Sequence, residues 1–202
     1  MVGHRVRAVP ARRMTGTVKH PLSACILSAM RRRLLVLVGF TVAAWAFGAL
    51  DSRIPMPSSS AVFWAGNLGS PWLVLPFLVG WAQRSRGWAL AGGTLVCTAS
   101  MVGFFGPGGA WGPTSFAFVA SWLMVGALAG GLYGLFGHAW GRSRALLDGL
   151  ALALPFVLEP LAWSLGLGYA QGAVPFWYVE MAVGVALLAW VVVANRRRAV
   201  QA

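Results

Sequence analysis

Six apolar stretches alternate with short connections along this chain, and its basic residues gather on every second connection. Such a pattern leaves few folds open. Hydrocarbon offers no water to bond backbone groups, so each stretch must satisfy its own amides, which a helix of about 20 residues does. The stretches cover residues 34–50, 61–83, 88–105, 115–136, 145–167 and 176–195. Composition points the same way. Of 202 residues, 58% are hydrophobic and 10% charged, with a mean hydropathy of +0.72. That is too little charge to coat a soluble domain of this size. The expected fold class is all-α, a polytopic membrane protein built as a bundle of six transmembrane helices. Residues 34–195 form the bundle, 1–33 a basic and disordered tail, and 196–202 a second basic tail.

The placement of charge sets an orientation. Eight cations precede the first stretch: Arg5, Arg7, Arg12, Arg13, Lys19, Arg31, Arg32 and Arg33. Arg84 and Arg86 follow the second stretch, Arg142 and Arg144 the fourth, and Arg196, Arg197 and Arg198 the sixth. The opposite connections carry only Arg53. By the positive-inside rule both termini are cytoplasmic. The net charge of +12 is therefore a topology signal, with the lipid bilayer and not nucleic acid as the expected partner. The leading tail resembles the n-region of a signal sequence, but further spans follow, so an uncleaved signal anchor is expected. Translation from Met1, Met14 or Met30 fits the pattern.

Many of the eleven tryptophans sit near span ends, where an indole favours the headgroup zone. Trp81, Trp88 and Trp140 are expected at the inner face, and Trp64, Trp111, Trp163 and Trp177 at the outer one. Trp45, Trp122 and Trp190 fall deeper and are expected to pack between helices. In the fourth stretch Gly126, Gly130 and Gly134 recur every four residues and so share one helix face. A smooth face of this kind lets another backbone approach closely. It serves packing inside the bundle or, as the sharper alternative, contact with partner membrane subunits or self-association.

Four acids remain. Asp51 falls outside the first span, with Arg53 as its expected partner. Asp148 lies four residues after Arg144 in the first turn of a helix, which suits a local ion pair and the helix dipole. Glu159 and Glu180 lie within apolar spans, where a carboxylate is costly and marks a functional site by default. Counted from Arg144 and Arg196 at 1.5 Å per residue, both rise about 22–24 Å, to a common level on neighbouring antiparallel helices. Facing each other there, they would share a proton or a cation.

Residues 67–72 read Asn-Leu-Gly-Ser-Pro-Trp. Ser70 before Pro71 is a helix-start signal, with Ser70 as the N-cap. A helix from Pro71 to Arg84 is only about 21 Å long, so its start lies inside the bilayer. A helix broken beside intramembrane acids is a recurrent way to build a transport site. Pro71 and Pro76 share their spacing with Pro155 and Pro160, a hint of an inverted repeat. Pro160, directly after Glu159, is expected to bend the fifth helix.

Nothing here points to catalysis. There is no phosphate-binding loop ending in Lys and Ser or Thr, no His-Glu-x-x-His sequence, and within the spans only two acids and an amide, where a lipid-processing enzyme gathers more polar groups. His138 ends the fourth span, and Cys25 and Cys97 read as small apolar fillers. No enzyme activity, cofactor or metal is expected.

The 67–72 segment, the glycine-rich fourth span and Glu159 give the chain a resemblance to an uncharacterised family of six-span actinobacterial membrane proteins. The resemblance runs over roughly residues 31–168. It implies a bacterial plasma-membrane location and assigns no activity and no catalytic residue. The basic extension before Met30 departs from the family pattern.

The expected function is small-solute or ion transport, or service as the membrane subunit of a transporter. Glu159, Glu180, Asn67 and Ser70 would line an outward-facing pocket walled by Trp72 and Trp163. The alternative is a non-catalytic membrane scaffold or assembly factor, using the fourth-span groove as its contact surface. The orientation has a direct check. Green fluorescent protein fused after Ala202 should fluoresce, and alkaline phosphatase fused there should be inactive; the reverse result would refute cytoplasmic termini.

Overall fold

The computed structural model describes residues 21–53, 69–106, 116–162, 165 and 174–201. They form six helices: α1 (Pro21–Asp51), α2 (Gly69–Ala82), α3 (Arg86–Phe105), α4 (Phe116–Ser143), α5 (Leu146–Ala162) and α6 (Val174–Gln201). No strand occurs among the described residues. Each helix overlaps one of the six apolar stretches. Four segments are long and apolar enough to cross a membrane: Met30–Asp51 in α1, all of α3, all of α4, and Trp177–Arg197 in α6. The chain is thus a helical membrane protein. At 14 and 17 residues, α2 and α5 measure about 21 and 26 Å, less than the roughly 30 Å of a hydrocarbon core.

The first helix begins at Pro21, earlier than the boundary at Leu34 that hydropathy alone places there. Pro is well suited to a first helical position, and residues 22–33 contain no further Pro or Gly to stop the helix. Residues 1–20, the larger part of the expected 1–33 tail, lie outside the described residues. Ser85 caps α3, its side chain accepting from the Trp88 amide at 3.4 Å. Arg144, in the left-handed region at φ 53, ends α4 and turns the chain into α5 within two residues.

Glycine decides how tightly these helices meet. α3 lies between α1 and α4, and α2 packs on α4 and α3. A Cβ at Gly93 would run into the Gly130 carbonyl, one at Gly134 into the Ala89 carbonyl, and one at Gly80 into Gly134 itself. Backbones of α2, α3 and α4 therefore touch directly, and dispersion between them replaces the missing hydrophobic drive. Gly126, Gly130 and Gly134 are all buried against the same chain. That face packs within the bundle, the first of the two roles expected for it.

α5 pairs mainly with α6 and meets α2 and α4 over smaller areas. Phe77, Trp140, Leu152 and Val191 pack together across α2, α4, α5 and α6. Outward-facing Val42, Leu128 and Val193 are exposed, as lipid-facing positions are.

Several expectations change once helix faces are known. Trp140, expected at the interface, is fully buried, whereas Trp45, Trp122 and Trp190, expected between helices, are exposed on the bundle surface. Position along a span does not reveal which side of the helix a ring occupies. Arg144 does not pair with Asp148. Its guanidinium lies over the rings of Trp81 and Trp140, at 5.1 and 5.2 Å. Asp148 instead accepts from Ser143 Oγ at 2.9 Å. Asp51 is half-buried, with Oδ2 left without a partner, so the expected solvated pair with Arg53 does not describe it.

Gly93→Ala should therefore destabilise the protein by about 1–3 kcal/mol, the usual cost of overpacking. Gly39, where an added methyl would find nothing within 4 Å, should tolerate Ala without loss. Thermal unfolding of both variants in detergent, followed by tryptophan fluorescence, checks the contrast.

Candidate functional site

The site is built around the start of α2. The first turn of any helix leaves its amide N–H groups without helical partners, and Pro71 removes one of these donors outright. Ser70, in this turn, is 1% exposed. Its N–H donates to Glu159 Oε2 at 2.9 Å and its Oγ–H donates to the same oxygen at 2.6 Å. Ser70 is thus the donor and not the cap that local sequence suggests. The capping oxygen comes from Glu159, 89 residues away on α5.

The electrostatics favour this arrangement on balance. Glu159 stands in the last turn of α5, at the negative end of that helix's dipole. Such a placement costs about 0.3–1 kcal/mol. Hydrogen bonds to a charged group each contribute about 1.5–3 kcal/mol, and the positive end of α2 adds to them. The bonds from Ser70 win.

Glu180 completes the cluster from α6. It is 4% exposed. Ser70 and Glu159 both lie within interaction range of its carboxyl, yet neither of its oxygens makes a hydrogen bond of good geometry. Three helices thus converge on one point, with a hydroxyl, an amide and two carboxyl groups. Among the described residues, no group of three or more His, Cys, Asp or Glu side chains is placed to hold a metal.

The other expected site residues fare differently. Trp72 is buried in an aromatic cluster, edge-on to Phe47 at 5.5 Å and to Phe104 at 5.4 Å. It packs α2 against α1 and α3. Asn67 and Trp163 lie outside the described residues. Trp177, expected at the outer interface, has a buried ring. It precedes Glu180 by three residues, which puts both on one face of α6. That spacing was the available signal.

No family model, no curated protein and no solved structure matches the chain. Function therefore has to be read from this geometry.

Ser70→Ala removes the hydroxyl bond and keeps the amide bond. It should cost about 1.5–3 kcal/mol, the range for a hydrogen bond to a charged group. Unfolding by a denaturing detergent, compared between wild type and variant, measures the loss.

Proposed function

We propose that this chain transports a small solute or ion across the plasma membrane of a bacterium, alone or as the membrane subunit of a transporter. In this reading all six helices cross the bilayer, the two short ones as broken or tilted elements, with both termini cytoplasmic. The observation that carries it is Glu180, a buried carboxyl beside a second carboxyl, with neither oxygen in a hydrogen bond of good geometry.

Two carboxylates at one apolar site repel each other, and a proton or a cation held between them relieves the repulsion. Oxygen-only donors suit a proton or a hard cation better than a soft transition metal. Exchange of that occupant, coupled to opening of the bundle, is the elementary step of a proton- or cation-coupled carrier. The start of α2 beside the acids adds support, because a helix end directed at a binding site recurs in transporters.

A second reading, a non-catalytic scaffold, draws its support from Glu159. Capping the start of α2 is a structural duty that needs no ligand. Glu180 has no such duty, and this favours transport.

Proteoliposomes loaded with a pH-sensitive dye provide the test, using imposed gradients of protons, sodium and potassium in turn. Wild-type protein should move at least one of these ions faster than empty liposomes do. Glu180→Gln, which keeps size and removes charge, should return the flux to that of empty liposomes. A Glu180→Gln variant that transports at the wild-type rate, or a wild type that moves none of the three, would leave the scaffold reading in its place.

A further inference from the structure

The end of the bundle opposite the acids holds a separate polar cleft of about 470 Å³, lined by Trp81, Gln83, Arg84, His138, Gly141 and Arg142. The residues come from the C-terminal ends of α2 and α4. A helix C-terminus is rich in unpaired carbonyls and repels anions, but here the chain has neutralised it. Arg142 donates to the Arg84 carbonyl. His138 Nδ1 meets the Gln83 carbonyl at 3.0 Å, which makes that nitrogen the protonated one. What remains facing the cleft is a lining with two arginines and no acid.

Gln83 gives the cleft its direction. Its side chain is 3% exposed, and neither Nε2 nor Oε1 has a hydrogen-bond partner. A buried amide without partners is costly and is retained where something bonds to it. Two guanidinium groups beside an amide donor make a site for a tetrahedral oxyanion, which arginine binds through paired N–H groups. The location identifies the source of that anion. Trp81, at the cleft, and Trp88 are both partly exposed, as rings at the headgroup level are.

We propose that this cleft binds the phosphodiester headgroup of an anionic lipid in the leaflet on the arginine-rich side. Arg84 and Arg142 hold the phosphate oxygens, with Gln83 packed beneath them. The site is independent of the acid cluster, so it stands or falls apart from the transport reading.

Native mass spectrometry of the full chain tests this, with phosphatidylglycerol, phosphatidylcholine and inorganic phosphate as separate probes. Wild-type protein should retain phosphatidylglycerol in preference to phosphatidylcholine. Arg84→Gln should weaken that binding roughly tenfold, as loss of one charge-assisted contact does, and Gln83→Leu should weaken it too. The Arg84 side chain is exposed and only its carbonyl is engaged, so this variant should fold even where Gln83→Leu does not. Arg86→Gln, a basic residue at the same end but outside the cleft, should bind as wild type does. Equal weakening by Arg86→Gln would reduce the effect to general surface charge and overturn the site. Equal retention of phosphatidylcholine would also overturn it, as would displacement of the lipid by millimolar inorganic phosphate.

Discussion

A helix whose first turn is buried holds amide donors where no water can reach them, and the rest of this structure follows from how that need is met. At fourteen residues α2 is shorter than the helix a hydrocarbon core requires. Its first turn must find acceptors within the protein. Glu159 supplies one oxygen to both the amide and the hydroxyl of Ser70. That pair of bonds fixes where α5 stands against α2. The α5–α6 pairing then fixes α6, and with it the position of Glu180. One requirement of backbone chemistry thus gathers two acids at a single point.

The remaining helices supply a stiff frame for this arrangement. Backbone contacts among α2, α3 and α4 at Gly80, Gly93, Gly130 and Gly134 leave little room between the helices for side chains to rearrange. Packed interiors transmit displacement instead of absorbing it. The start of α2 is therefore held against a rigid wall, while the acids arrive on the more lightly attached α5–α6 pair.

Much of this was legible in the sequence, and the failures share a cause. The six helices followed from hydropathy, and counting from Arg144 and Arg196 placed Glu159 and Glu180 at one height because helical rise is constant. Ser70 was recognised as the start of a helix. Its partner was not, because capping rules are local and Glu159 is remote in sequence. The expected Arg144–Asp148 pair failed likewise: four-residue spacing allows an ion pair, but two tryptophan rings brought in by α2 and α4 hold the guanidinium more closely. Burial of Trp140 and exposure of Trp45 depend on which neighbour each helix face meets, and no single helix encodes that. The cleft around Gln83 escaped notice for the same reason, since its residues belong to two helix ends far apart in the chain.

The turn at Arg144 has a mechanical consequence. With only Arg144 and Ala145 between them, α4 and α5 are stapled together at the arginine-rich end. Relative motion there is confined to a pivot. A rod hinged at one tip sweeps its widest arc at the other, and the other tip of α5 carries Glu159. Any swing of α5 away from the glycine-packed wall opens first and farthest at the Ser70 clasp, so the geometry works like a clothes peg whose one jaw carries the carboxyl groups and whose other carries the serine.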